Sequence, residues 1–276
     1  MIPAPFDYVR ASSAEEAVSL LAGHGEDAKL LAGGHSLLPL MKLRLATPAV
    51  LVDVGRVSEL RYIRDAGDHV AIGALTRHRD VETSELLHAH VPLLAHAASF
   101  VGDPQVRHRG TLGGTLAHGD PASDLPAVVL ALGGQIVARS PRGERVIAAT
   151  EFFKGFLETA LAPDEMICEV RVPKTGSAGW SFQKFNRRAQ DWAIVGVAAV
   201  RDGSTGVALV NMGPTPLRAT AVEQALAQGA SIEDAAALAA EGTEPTDDVN
   251  ASADYRRHLA RVLVRRALQE ATARAR

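Results

Sequence analysis

Residues 109–126 constrain this 276-residue chain more than any other stretch. They read Arg109-Gly110-Thr111-Leu112-Gly113-Gly114-Thr115-Leu116-Ala117-His118-Gly119-Asp120-Pro121-Ala122-Ser123-Asp124-Leu125-Pro126, and an apolar run, 127–132, follows directly. Adjacent glycines let a backbone turn where a Cβ would clash, and they let a bulky anion approach main-chain N–H groups. Thr111, Thr115 and Ser123 add hydroxyl donors. Asp124 repels phosphate but accepts hydrogen bonds from sugar or polyol hydroxyls, so a ligand carrying both kinds of group suits the stretch. A ligand-free reading stands beside this one: a Gly/Asp/Pro loop ahead of a helix, with Ser123 or Asp124 as its N-cap.

A related signal lies roughly eighty residues earlier. The apolar run 28–32 stops at Gly33-Gly34-His35-Ser36, and 37–44 reads as helical. Strand, glycine turn and helix together leave N–H groups free at the turn, which is how proteins hold phosphate without a charged side chain. The spacing is neither Gly-x-Gly-x-x-Gly nor Gly-x-x-x-x-Gly-Lys-Ser/Thr, so it predicts neither a Rossmann fingerprint nor a P-loop. One such turn is explained by local structure alone. Two of them in one chain point to a dinucleotide.

Composition removes several alternatives. The 29 basic and 32 acidic residues give a net charge of −3, which supplies no electrostatic case for nucleic acid or an anionic membrane. A single cysteine, Cys168, excludes an internal disulfide and an iron–sulfur cluster held by this chain alone. The N-terminal residues lack a basic region followed by an apolar core, and no apolar run approaches ~20 residues, so a cytoplasmic location is the expectation.

Periodicity predicts a mixed α+β chain. A helix is expected over 11–25 with Ser12 or Ser13 as cap, a strand over 49–54, and a hairpin of 60–64 with 70–73 around Asp65-Ala66-Gly67-Asp68. Helical patterns follow at 76–85 and 92–101, then a buried helix at 127–132, strands at 135–138 and 145–147, and a strand at 166–173 that buries Cys168. After the linker-like 174–179 come strands at 180–185, 193–201 and 206–210. Helices are expected at 219–227 and 232–240, and a long one at 254–275 with Arg257, Arg261 and Arg265 on its solvated side.

These residues carry a resemblance. Ala32-Gly33-Gly34-His35-Ser36 with Leu40-Met41-Lys42-Leu43-Arg44, and Thr111-x-Gly-Gly with Asp120-Pro121-x-Ser123-Asp124-x-Pro126, resemble the FAD-binding medium subunits of molybdenum hydroxylases, the group that includes aerobic carbon monoxide dehydrogenase and the flavin domain of xanthine dehydrogenase. Lys184-Phe185-x-Arg187-Arg188-x-x-Asp191-Trp192-Ala193 and the segment 250–259 are similar to that family's C-terminal domain. The resemblance runs from end to end.

It implies a vanillyl-alcohol-oxidase (PCMH) type FAD-binding part of two α+β subdomains, about 1–56 and 57–175, plus a C-terminal α+β domain at 176–276. It implies non-covalent FAD. Ala32, Gly33, Gly34, His35, Ser36 and Leu37 would share the pyrophosphate with Thr111, Gly113, Gly114 and Thr115, through N–H groups and hydroxyls. Val101, Gly102, His118 and Ser123 belong to the same implied set. Asp124 would hold ribityl or ribose hydroxyls, Ile167 would lie near the flavin rings, and Lys184 would sit at the pyrimidine edge. Trp192 would pack near the rings and control access. Thr115 departs from the asparagine of many relatives, keeping a donor on a shorter arm. His35 and His118 are expected to hydrogen-bond rather than act as acid or base.

As function, the resemblance implies an electron-transfer subunit of a molybdenum-containing dehydrogenase. The molybdenum cofactor and [2Fe-2S] clusters would reside on a large and a small partner subunit in a dimer of heterotrimers. Electrons would leave FAD for an external acceptor such as a quinone or NAD, with peripheral membrane association of the complex as an open alternative. The wording of 32–36 and 187–193 is most like carbon monoxide dehydrogenase. A self-sufficient FAD-dependent oxidoreductase and a non-catalytic nucleotide-binding module remain the competing classes.

Overall fold

Parallel pairing dominates the first unit: β1 (Asp7–Arg10) and β2 (Ala28–Leu31) both lie beside β3 (Val50–Asp53). Parallel neighbours need crossovers, and α1 (Ala14–His24) and α2 (Leu37–Lys42) provide them. The computed structural model describes residues 2–202 and 204–275. Helix α1 starts where its cap predicts, with Ser13 Oγ accepting from Glu16 N at 3.1 Å, and it buries Ala14, Ala17, Val18 and Leu21 against the sheet.

The second unit opens with the predicted hairpin, β4 (Ile63–Asp65) and β5 (His69–Gly73). A helical insert follows: α3 (His78–Glu82), α4 (Glu85–His90), α5 (Pro92–Ala98), α6 (Pro104–Arg109), α7 (Leu112–His118) and α8 (Asp124–Ala131). Then come β6 (Gln135–Ser140), β7 (Gly143–Ala148), α9 (Ala149–Phe152), the short hairpin β8 (Phe153–Gly155) with β9 (Glu158–Thr159), and β10 (Met166–Pro173). The antiparallel order is β4-β5-β10-β6-β7. The register of β10 against β6 shifts between Ile167 and Glu169, a bulge beside the cavity described below.

The third unit is the antiparallel sheet β11 (Gly179–Phe185), β12 (Val195–Asp202), β13 (Ser204–Val210) and β14 (Leu217–Arg218). Helices α10 (Thr220–Ala227), α11 (Ile232–Ala237) and α12 (Ala253–Arg274) cover one face of it. Strand alternation splits its side chains cleanly. Val195, Val197, Ala199, Val207 and Leu209 join the core with those helices, whereas Phe182, Ala198, Val200, Ala208 and Val210 join the core of the second unit. Every residue of α8 is buried, and α8 shares that core with β5, β6 and β10 as well as with β12 and β13. Among the described residues no helix is long and apolar enough to cross a membrane.

The glycine stretch departs from the expected open loop. It forms the end of α6, the cap Thr111 and then α7, which runs through both glycines before Gly119, at φ +65°, ends it as a left-handed C-cap. Glycine disfavours helix by about 1 kcal/mol per residue, so local propensity pointed the other way. Tertiary packing overrides it: a Cβ on Gly113 would lie 2.6 Å from Ala74 Cβ and 2.8 Å from Ala74 O. The 76–85 helix is also interrupted, since α3 ends at Glu82 and Ser84 caps α4. Helix α6 announced itself in Asp103 as cap and Pro104 at the first position, a start signal that the periodicity reading passed over.

Candidate functional site

A cavity of about 940 Å³ opens where the three units meet, within the size range of cofactor sites. All the implied binding residues border it, although they come from separate elements. Ala32, Gly33, Gly34, His35, Ser36 and Leu37 form the turn from β2 into α2. The N–H groups of Gly33, Gly34, His35 and Ser36 donate to no main-chain carbonyl among the described residues. This turn therefore supplies unengaged donors to the cavity. It is locked against the second stretch, because a Cβ on Gly33 would come within 2.3 Å of Arg109 O and 2.9 Å of Gly110 Cα.

Thr111, Gly113, Gly114 and Thr115 reach the cavity from α7, but their N–H groups are differently placed from the expectation. Leu112 N donates to Thr76 O at 2.9 Å, Gly113 N to Ala74 O at 2.8 Å and Thr115 N to Thr111 O at 3.1 Å. Gly114 N donates to Thr111 Oγ1 at 3.1 Å. Free donors in the second stretch are thus the hydroxyls of Thr111 and Thr115, while main-chain donors come from the first turn. Gly114 leaves room: an added Cβ would touch Thr111 Oγ1 at 2.7 Å and otherwise no atom closer than 4.0 Å. Val101 and Gly102 border the same region and are pinned by Arg107, whose guanidinium donates to both carbonyls and pairs with Glu82 at 2.9 Å.

Asp124 begins α8 and Lys184 lies on β11, sixty residues apart in sequence and 2.7 Å apart as an ion pair. Both side chains are nearly sealed from water, 6% and 3% exposed. Lys184 Nζ also donates to Phe100 O at 3.0 Å. The charge of Lys184 is thus matched by Asp124 in the cavity wall. Burial pushes the Asp124 carboxyl up to about 6 against the opposing pull of Lys184. Its second oxygen, Oδ1, is buried without a hydrogen-bond partner. An unpaired carboxylate oxygen in a cavity wall calls for a donor such as a hydroxyl.

The remaining expected residues complete the wall. Ser123 caps α8 by position, but its side chain makes no capping bond, and it is buried beside the cavity. Ile167 reaches the cavity at the β10 bulge. His118 ends α7, and burial lowers its pKa, with Asp120 pulling the other way. His35 is exposed on the first turn. Trp192 borders the cavity while remaining 60% exposed, on the segment that joins β11 to β12. The sequence reading missed His78, Leu40 and the wall from Leu157 to Glu165, among them Leu161 and Pro163. The latter segment carries neither periodicity nor a glycine motif, so no local signal marked it.

Unengaged main-chain donors, hydroxyls and an unpaired carboxylate oxygen in one apolar-walled cavity fit a dinucleotide with sugar or polyol hydroxyls. Comparison with known proteins agrees. Residues 4–175 match the family model described as the FAD binding domain in molybdopterin dehydrogenase, and 180–271 match the CO dehydrogenase flavoprotein C-terminal domain. The chain is 44% identical to the carbon monoxide dehydrogenase medium chain of Hydrogenophaga pseudoflava, covering 99% of both chains. It is 40% identical to the 6-hydroxypseudooxynicotine dehydrogenase complex subunit alpha of Paenarthrobacter nicotinovorans, covering 100% of this chain and 97% of that one. A solved structure of the Hydrogenophaga pseudoflava carbon monoxide dehydrogenase, in a form lacking the Mo-pyranopterin moiety of the molybdenum cofactor, superposes with a TM-score of 0.96 at 45% identity and full coverage of both chains.

Proposed function

Because the chain belongs to the family of FAD-binding subunits of molybdenum-containing dehydrogenases, we propose that it is the flavin relay of a carbon monoxide dehydrogenase type complex, taking electrons from iron–sulfur clusters on a partner subunit and passing them to an external acceptor. One observation carries the reading of the site: the first turn, the α7 hydroxyls and the unpaired Asp124 Oδ1 converge on one cavity. Ala32 to Leu37, with Thr111 and Thr115, would hold the pyrophosphate. Asp124 and Ser123 would take ribityl or ribose hydroxyls, and Ile167, Lys184 and Trp192 would surround the ring system. Bound FAD supplies a carrier that accepts electrons singly and releases them singly or in pairs. The division into a cofactor-binding part at 1–175 and a C-terminal part at 176–276, the cytoplasmic location and the dimer of heterotrimers belong to the same proposal.

Carbon monoxide is favoured as the substrate of the complex by the 44% identity to that medium chain over 99% of both chains. The substrate-selecting groups would lie on the molybdenum subunit.

Acid precipitation of the purified yellow chain is expected to release all its flavin, since the chain supplies only hydrogen-bonding and apolar contacts in this reading. Absorbance at flavin wavelengths in the pellet would overturn the non-covalent assignment.

Assembly is tested by coexpression with iron–sulfur and molybdenum subunits of a carbon monoxide dehydrogenase type complex. The complete complex should transfer electrons from carbon monoxide to a dye or quinone, whereas the isolated flavin-loaded chain should not be reduced by carbon monoxide. Full-rate oxidation by the isolated chain would replace the relay with a self-sufficient flavoenzyme.

A further inference from the structure

His78 is a buried histidine in the cavity wall that no hydrogen bond explains. It opens α3, is 4% exposed, and has an Nδ1 sealed from solvent with no partner. Its main-chain N–H donates to Gly110 O at 3.0 Å, which ties α3 to the residue between α6 and the Thr111 cap. The ring lies against Gly110 on that side: a Cβ there would come within 2.6 Å of His78 Cδ2 and 2.8 Å of Nε2. Gly33 of the first turn packs on the same residue, its own Cβ position 2.9 Å from Gly110 Cα. The histidine thus stands behind the seam where the two ligand-binding stretches interlock, and it borders the cavity itself.

Its protonation follows from its surroundings. Burial lowers the imidazole to about 4, and the neighbouring His35 and Arg107 push in the same direction, so the ring is neutral at physiological pH. A neutral imidazole carries one N–H and one lone pair. A sealed N–H without an acceptor is rarer and costlier than an unpaired acceptor. The proton is therefore best placed on Nε2, which leaves Nδ1 as the unpaired acceptor and puts the donor on the ring edge beside Gly110.

We propose that His78 is a further cofactor-binding residue, a neutral donor whose Nε2–H is completed by a phosphoryl oxygen of the bound dinucleotide. The inference rests on the FAD reading of the cavity. Two features of the chain acquire a reason from it. The α7 N–H groups are already engaged within the fold, so the second stretch needs another donor for the anion. Gly110 must lack a side chain because any Cβ would crowd the donor.

The experiment uses the full chain, stripped of flavin and titrated with FAD and, separately, with ADP. In the wild type, the ¹⁵N signals of the His78 imidazole should move with both ligands and report the Nε2-protonated tautomer. His78→Phe, which keeps the ring volume but no donor, should weaken FAD at least about tenfold, the effect of one hydrogen bond to a charged group. His78→Gln, which restores a donor, should stay within about threefold of the wild type. Gly110→Ala should weaken FAD in proportion to displacement of the ring, and the ³¹P signals of bound FAD should shift in both weakened variants. Thermal melts of the flavin-free proteins separate misfolding from lost contact. Wild-type chain that binds FAD while the His78 signals stay still, or a folded His78→Phe with wild-type affinity, would overturn this inference alone. Wild-type chain that binds no FAD would instead overturn the function proposed above.

Discussion

Gly114→Val is expected to yield a folded but colourless chain. The glycine lies on α7 where it meets the cavity, and an added Cβ touches only the Thr111 cap at 2.7 Å. A valine there projects its methyl groups into ligand space and displaces the Thr111 hydroxyl, one of the few free donors on that side. The expected loss of FAD affinity is at least ~1,000-fold, about 4 kcal/mol. The cost in folding is that of a weakened helix cap, roughly 1–2 kcal/mol. Gly113→Val is the contrasting case, because its Cβ would be driven into Ala74 and should destabilise the fold whether or not ligand is present. Titration of FAD beside thermal melts distinguishes the two. Wild-type affinity in Gly114→Val would remove α7 from the site.

Lys184→Met is expected to cost about 3–5 kcal/mol of folding stability near pH 8, the range for removing one member of a buried ion pair. It leaves the Asp124 carboxylate buried with neither oxygen satisfied by a charge. In the wild type the folded-state carboxyl titrates at about 6, above its ordinary 3.8. Between those values the folded chain binds the proton more tightly than the unfolded chain does. The stabilisation from this group is therefore complete below about 4 and is lost as pH rises through about 6. Lys184 holds the carboxyl down, so removing it moves the upper edge of this window to higher pH. Denaturant unfolding from pH 5 to 8 should show a deficit that shrinks as the pH falls, and Lys184→Met with Asp124→Asn should recover most of the loss. A deficit independent of pH, unrelieved by the second substitution, would mean that packing and not the unpaired charge is responsible.

Much of the architecture could be read from local pattern. The Ser13 cap, the β4–β5 hairpin and the β11 to β13 alternation fall where periodicity and turn residues put them. The first glycine turn could also be read, because a strand, two glycines and a helix leave donors unengaged whatever surrounds them. The second stretch was legible only in part, since Gly113 serves helix packing against Ala74, a contact thirty-nine residues away that no local rule encodes, while Gly114 beside it borders the cavity. Long-range pairs were similarly hidden. Nothing in the neighbourhood of Lys184 announces Asp124, and His78 sits in an ordinary charged run, Arg77-His78-Arg79-Asp80, that looks solvent-facing until α6 folds over it. Resemblance placed Lys184 at the cavity, and the ion pair with Asp124 is what the sequence alone did not announce.

The burial of α8 between two sheets has a consequence for how such subunits can be recombined. A unit joined by a flexible tether can be exchanged between relatives at the tether, and 174–179 looks like a natural splice point. Here the same helix that presents Asp124 to the cavity also fills the inner face of β12 and β13. The fit is close: a Cβ on Gly206 would come within 2.2 Å of Ala131 O. A chimera spliced at the linker would therefore inherit a mismatched seam running from the core to the cavity. Grafting a C-terminal part from another subunit requires its β12 and β13 to keep the fit to α8.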